Sequence, residues 1–192
     1  MREEIFTTPL WVFENLLSEE EIGALEELAI TDEANGCSVV KSNNQFAHHS
    51  ANNFAGAFPD LPGAKSIAIK FKECLEDYAY RGLKTVSIQY WSIVSRKYAY
   101  NAKHNHGDSL LSSALYICVP DHSGDIKFHD PRPGKLMSNT TGQDSKDRQH
   151  QACLIKPKQG MLVVFPSFLE HEVTMTLSTE PRIIYSFNVS PG

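Results

Sequence analysis

The chain has 192 residues, 41% of them apolar and 21% charged, with a formal net charge of −5. That length can bury a sizeable core, and the composition is ordinary for a globular protein. No run of like charge exceeds Glu19-Glu20-Glu21, so charge argues against nucleic acid and against an anionic membrane surface, which both require clustered cations.

The N-terminal third reads as strand, helix, loop and helix. Residues 5–14 alternate loosely around Pro9, as an edge strand does. Ser18-Glu19-Glu20-Glu21 is a capping box, and the apolar spacing after it predicts a helix over 19–30. Residues 31–62 show no sustained period and read as a functional loop. A second helix is predicted over 63–80, with Ile67, Phe71, Cys74, Leu75 and Tyr78 on one face and Arg81-Gly82 at its end.

From residue 85 the period changes to two. Strands are predicted at 85–95, 110–119, 124–129, 151–156, 160–166, 170–177 and 182–190, divided by turn signals such as Pro157-Lys158-Gln159-Gly160. Residues 133–150 are polar and hold Gly134 and Gly142, a long loop placed to act as a lid. Helices followed by many short strands predict an α+β, mainly β protein, an antiparallel barrel or jelly roll with flanking N-terminal helices. One domain is expected over 1–192, residues 1–84 packing on a core of residues 85–192.

Cys37, Cys74, Cys118 and Cys153 are widely spaced with no CxxC pair, which removes the zinc-ribbon and thioredoxin readings. Met1-Arg2-Glu3-Glu4 leads to Pro9 rather than to an apolar signal region. No apolar run approaches the ~20 residues of a membrane span. Reduced thiols in a cytoplasmic protein are expected.

The stretch Lys103-His104-Asn105-His106-Gly107-Asp108 carries the chemistry. Side chains two apart on extended chain share a side, and His171, on a distant strand, can close one face of a metal ion. Both His104-x-His106 and His106-x-Asp108 have this spacing, so the ligand set stays open between His104, His106 and His171 on one hand and a set using Asp108 on the other. Such one-sided ligation leaves positions free for oxygen and a cosubstrate on Fe(II). Arg182 opens the last β-rich run, and its planar fork suits a carboxylate. The histidines His48-His49, His122, His129 and His150 read as surface residues, with His48-His49 candidates for the substrate entrance.

Over about residues 85–190 the chain resembles the 2-oxoglutarate/Fe(II) oxygenases of phages and marine bacteria, distant relatives of prolyl 4-hydroxylase-like double-stranded β-helix enzymes. The motifs that carry the likeness are His104-Asn105-His106, Ser112 to Tyr116 leading to Val119-Pro120, Phe128-His129-Asp130-Pro131-Arg132, Gly160 to His171, and Arg182 to Asn188. The resemblance implies Fe(II) held by His104, His106 (or Asp108) and His171, with His106 where that pattern has a carboxylate. It implies that Arg182, helped by Tyr116 and Ser186, binds 2-oxoglutarate as cosubstrate with O2, and that an unidentified substrate is hydroxylated. The pattern's serine two residues after the arginine is Ile184 here, and Ser186 is the nearest hydroxyl. Two rivals remain: a cupin-like three-histidine metalloenzyme that does not use 2-oxoglutarate, and a non-catalytic jelly-roll binding or virion-associated module.

Overall fold

A computed structural model describes residues 7–36, 38–53, 58–78, 86–132 and 152–192. Among the described residues, nine strands form one antiparallel sheet in the order β1-β7-β4-β9-β3-β8-β5-β6, with β2 paired to β3 beside that path. The strands are β1 (Trp11–Phe13), β2 (Asn44–His49), β3 (Val86–His104), β4 (Leu111–Cys118), β5 (Ile126–His129), β6 (Ala152–Ile155), β7 (Leu162–Pro166), β8 (His171–Val173) and β9 (Arg182–Pro191). Phe128 on β5 and Phe165 on β7 are far apart in that order, yet their rings meet at 4.9 Å. The sheet therefore curls onto itself, and the fold is the jelly roll of a double-stranded β-helix.

Two helices cover the convex face. The capping box starts α1 (Glu19–Ala34): Ser18 Oγ accepts the Glu21 N–H at 3.2 Å and Glu21 accepts the Ser18 N–H at 2.9 Å. Three acidic residues in its first turn suit the positive end of the helix dipole. Gly63, at φ 74°, precedes α2 (Ala64–Asp77), and a Cβ there would collide with the Leu17 side chain. The buried face of α2 is Ala64, Ile67, Phe71, Cys74 and Leu75, as helical spacing predicts, but the helix ends at Asp77 and Tyr78, expected on that face, is its half-buried C-cap. The Arg81-Gly82 stop lies outside the described residues, as does the proposed lid loop 133–150.

Strand alternation divides the apolar residues into two clusters. Tyr90, Val94, Leu111, Leu115, Ile183, Tyr185, Phe187 and Val189 pack outward against Leu25, Ala29 and the α2 face. Trp91, Ile93, Ala114, Tyr116, Val163, Phe165 and Ile184 point into the curl.

Three expectations need correction. The region 31–62 is not all loop: α1 continues to Ala34, and Asn44–His49 forms β2 against the far half of β3. β3 does not stop near residue 95 but runs to His104, passing a register shift where Phe46 (φ 58°) and Tyr98 (φ 74°) adopt left-handed backbone. His48 and His49 are not surface residues. The His48 side chain is 6% exposed and meets Asp32 at 2.9 Å, while His49 is buried and stacks on Trp91.

Candidate metal and cosubstrate site

The site is assembled by strand register. His104 ends β3, His171 opens β8, and the two are direct cross-strand partners, which sets their ring centroids 4.3 Å apart. His106 lies past the end of β3 and is fastened by its N–H to the Ser167 carbonyl at 2.8 Å. Its ring centroid is 5.0 Å from that of His104 and 5.3 Å from that of His171. One ring nitrogen from each imidazole falls within 4.8 Å of the other two.

Hydrogen bonding directs those nitrogens. His104 Nδ1 faces the Ala102 carbonyl at 2.7 Å, and His171 Nδ1 faces the Leu169 carbonyl at 3.0 Å. A carbonyl only accepts, so both rings carry Nδ1–H and keep a lone pair on Nε2. Burial depresses all three side chains as bases. His106 falls to about 4 and His171 to about 3, in each case from burial first and the neighbouring His104 next; His104 is also lowered, by burial. Three neutral imidazoles at neutral pH form a nitrogen donor set that suits Fe(II), nickel or zinc.

Asp108 stands apart from the three histidines. Past His106 the chain turns, with the Ser109 N–H on the His106 carbonyl at 3.0 Å, and Asp108 is exposed outside the cluster. The structure brings together the His104, His106 and His171 set and not the set using Asp108.

A cavity of about 410 Å³ opens over the histidines, and Arg182, Tyr116, Ser186 and Trp91 also line it. Arg182, the first residue of β9, is 1% exposed. It donates Nη1–H to the Ser123 carbonyl at 2.9 Å and Nη2–H to Ser95 Oγ at 3.1 Å, and its Nε has no partner. Only Gly fits at 124: φ is 88°, and a Cβ would strike the Thr174 carbonyl and lie 3.2 Å from Arg182 Nη1. That bare backbone lets Ser123 reach the guanidinium. Burial lowers the Arg182 pKa against the opposing pull of Tyr116 and Asp125. Tyr116 is pushed up to about 12 by burial, so it keeps its O–H as a donor beside the arginine. A buried cation bonded only to neutral groups, with an orphaned N–H, fits an incoming carboxylate.

Ser186 is on the same face of β9 as Arg182, across from Trp91. His122 is exposed, and His129 lies 3.6 Å from Glu172, outside the cluster; His150 lies outside the described residues. Sequence reasoning missed Asn188, six residues after Arg182 on the same face of β9 and also in the cavity wall. Period-two counting from the arginine would have found it. His49, named with His48 for the substrate entrance, lines the cavity stacked on Trp91, and Trp91 carries no such signal.

A curled antiparallel jelly roll with histidines and an arginine turned inward is the architecture of the double-stranded β-helix oxygenases. Residues 89–188 match the family model described as "Putative 2OG-Fe(II) oxygenase", and the chain belongs to that family. It is a 2-oxoglutarate-dependent oxygenase, and the family's metal and cosubstrates are Fe(II), 2-oxoglutarate and O2. Among solved structures, a prolyl-4-hydroxylase from Pseudomonas putida is 14% identical, with a TM-score of 0.64 over 97% of this chain and 94% of that one. HygX from Streptomyces hygroscopicus, solved with nickel and 2-oxoglutarate bound, is 10% identical, with a TM-score of 0.62 over 96% and 84%. A Trichoplax adhaerens prolyl hydroxylase, in complex with a hypoxia inducible factor peptide fragment, is 12% identical, with a TM-score of 0.59 over 95% and 83%. At these identities the likeness is one of fold. No curated protein matches the sequence.

Proposed function

We propose that His104, His106 and His171 hold Fe(II) through Nε2, that Arg182 with Tyr116 and Ser186 binds 2-oxoglutarate, and that the protein hydroxylates a C–H bond of a substrate yet to be identified. The observation that carries this reading is the convergence of three neutral, oriented imidazoles beside a buried arginine bonded only to neutral groups. When bound, the metal with 2-oxoglutarate and O2 supplies the oxidation: the cosubstrate loses CO2 to become succinate, and one oxygen atom enters the substrate.

The chain's own contributions are positional. Arg182 offers a rigid two-pronged donor to the carboxylate remote from the metal, and Tyr116 adds a hydroxyl. The neutral imidazoles present lone pairs without first losing protons. Phe165 and Phe128 pack against the His171 ring, holding it in place and keeping water from that side. We assign the protein to the cytoplasm, a reading supported by Cys74, Cys118 and Cys153, which are free thiols. No helix among the described residues is long and apolar enough to cross a membrane.

The test is succinate release by purified protein supplied with Fe(II), ascorbate and 2-oxoglutarate in air. Succinate should form only when both iron and 2-oxoglutarate are present, and His171→Ala should abolish it. Turnover of a substrate that is indifferent to 2-oxoglutarate would overturn the reading.

A further inference from the structure

Two of the three imidazoles donate Nδ1–H to the carbonyl two residues before them in the chain, but the His106 Nδ1 meets no such carbonyl among the described residues. Its Nδ1 faces the side-chain amide of Asn188 at 3.4 Å, with Nδ2 nearest. The other end of that amide, Oδ1, lies 2.8 Å from Ser112 Oγ, which in turn lies 2.8 Å from Ser167 Oγ. Ser112 is 1% and Ser167 0% exposed, so that end of the network is closed to bulk solvent. As oriented, the amide donates to Nδ1, which places the proton of His106 on Nε2, the nitrogen a metal needs bare.

The two ends of an asparagine amide differ only in which carries hydrogen, and the surrounding network decides between them. Turning the Asn188 amide by half a turn presents Oδ1 to His106 and Nδ2–H to Ser112. Either hydroxyl of the Ser112–Ser167 pair can be the donor, so the Ser112 hydroxyl then donates to Ser167 and every group in the chain keeps a partner.

We infer that Asn188 is a positioning residue for the metal site: with its oxygen toward His106 it accepts Nδ1–H, selects the tautomer that ligates through Nε2, and does for His106 what the Ala102 and Leu169 carbonyls do for the other two. Ser112 and Ser167 form a reversible hydroxyl chain that accommodates either amide orientation. The inference rests on His106 being a ligand. A carboxylate in that place would need no such partner, so a histidine there creates the requirement that Asn188 meets.

The experiment measures Ni(II) affinity by calorimetry in the metal-free protein and follows the ring nitrogens of ¹⁵N-histidine-labelled, Zn(II)-loaded protein by NMR. Asn188→Ala should weaken Ni(II) binding by about 10–100-fold, the usual consequence of removing a ligand's hydrogen-bond partner. It should also expose the His106 Nδ1–H to rapid exchange, leaving the His104 and His171 signals unchanged as internal controls. Asn188→Asp has nearly the same shape and, as a carboxylate, only accepts; it should keep both the affinity and the protected Nδ1–H. If Asn188→Ala fails to fold, the His106 ring signals of the Zn(II)-loaded wild-type protein decide, because an amide that donates to Nδ1 leaves no Nδ1–H there to be protected. Wild-type Ni(II) affinity in Asn188→Ala, a loss in Asn188→Asp, or coordination of His106 through Nδ1 would overturn this inference while leaving the three-histidine reading intact. Absence of Ni(II) binding by the wild-type protein would overturn both.

Discussion

Strand β9 presents two different proteins on its two sides. Ile183, Tyr185, Phe187 and Val189 face the helices within an apolar cluster; Arg182, Ile184, Ser186 and Asn188 face the cavity. The backbone is shared and the residues are interleaved, yet the two sets obey different rules. On the outer side, what matters is apolar volume, which tolerates exchange among residues of similar size. On the inner side, what matters is which atom donates, which accepts and where it points, so no substitution is neutral by size alone. Stability and chemistry are therefore separable by parity along one strand.

The largest expected effect on the inner side comes from His171→Ala. Stoichiometric Ni(II) binding should disappear from calorimetric titrations, while the metal-free variant loses only about 1 kcal/mol of stability, as a typical substitution does. Loss of fold on that change would erase the distinction between the sides. On the outer side, Phe187 is fully buried, with the rings of Phe71, Phe58 and Tyr90 at 5.7, 6.1 and 6.1 Å. Phe187→Ala should cost about 3–5 kcal/mol in chemical denaturation, and the folded fraction should bind Ni(II) with unchanged affinity.

Arg182→Ala sharpens the comparison within the site. Losing charge-assisted hydrogen bonds should raise the KM for 2-oxoglutarate by roughly a hundredfold and leave Ni(II) affinity nearly unaltered. Parallel loss of both would mean that the arginine supports the histidines rather than the cosubstrate. The smallest effects separate two tyrosines. Tyr185 donates its hydroxyl to the Leu25 carbonyl of α1 at 3.0 Å, so Tyr185→Phe should lower stability by about 0.5–1.5 kcal/mol with no change in KM. Tyr116→Phe should do the reverse, raising the KM for 2-oxoglutarate by no more than about tenfold.

The parity of β9 was legible in the sequence because, Ile184 aside, polar and apolar residues alternate from Arg182 to Asn188, and the histidine pair was legible because period-two spacing survives to the end of a strand. The choice between His104 and Asp108 was not. It depends on where β3 stops and the chain turns after His106, and Gly107-Asp108 looks equally like strand end or turn. β2 escaped notice because Asn44-Gln45-Phe46-Ala47-His48-His49 has no alternation and owes its extended form to pairing with β3. The continuation of β3 through Arg96, Lys97 and Tyr98 was hidden by charge and by a left-handed Tyr98, neither of which a strand pattern contains. Asn188 was visible by position but not by role, since its partner is a ring that only the fold brings near.

The facing of His104 and His171 across β3 and β8 also bears on the order of folding. The two residues are far apart in the chain, and such long-range strand pairing closes slowly. Until β8 docks, a divalent ion meets only the local His104-x-His106 pair. The ion should therefore act as a late clasp, leaving the refolding rate close to its metal-free value and slowing unfolding in proportion to the affinity gained. Stopped-flow traces with and without Ni(II) would separate the limbs, and acceleration of refolding would show that β3 and β8 already meet in the transition state.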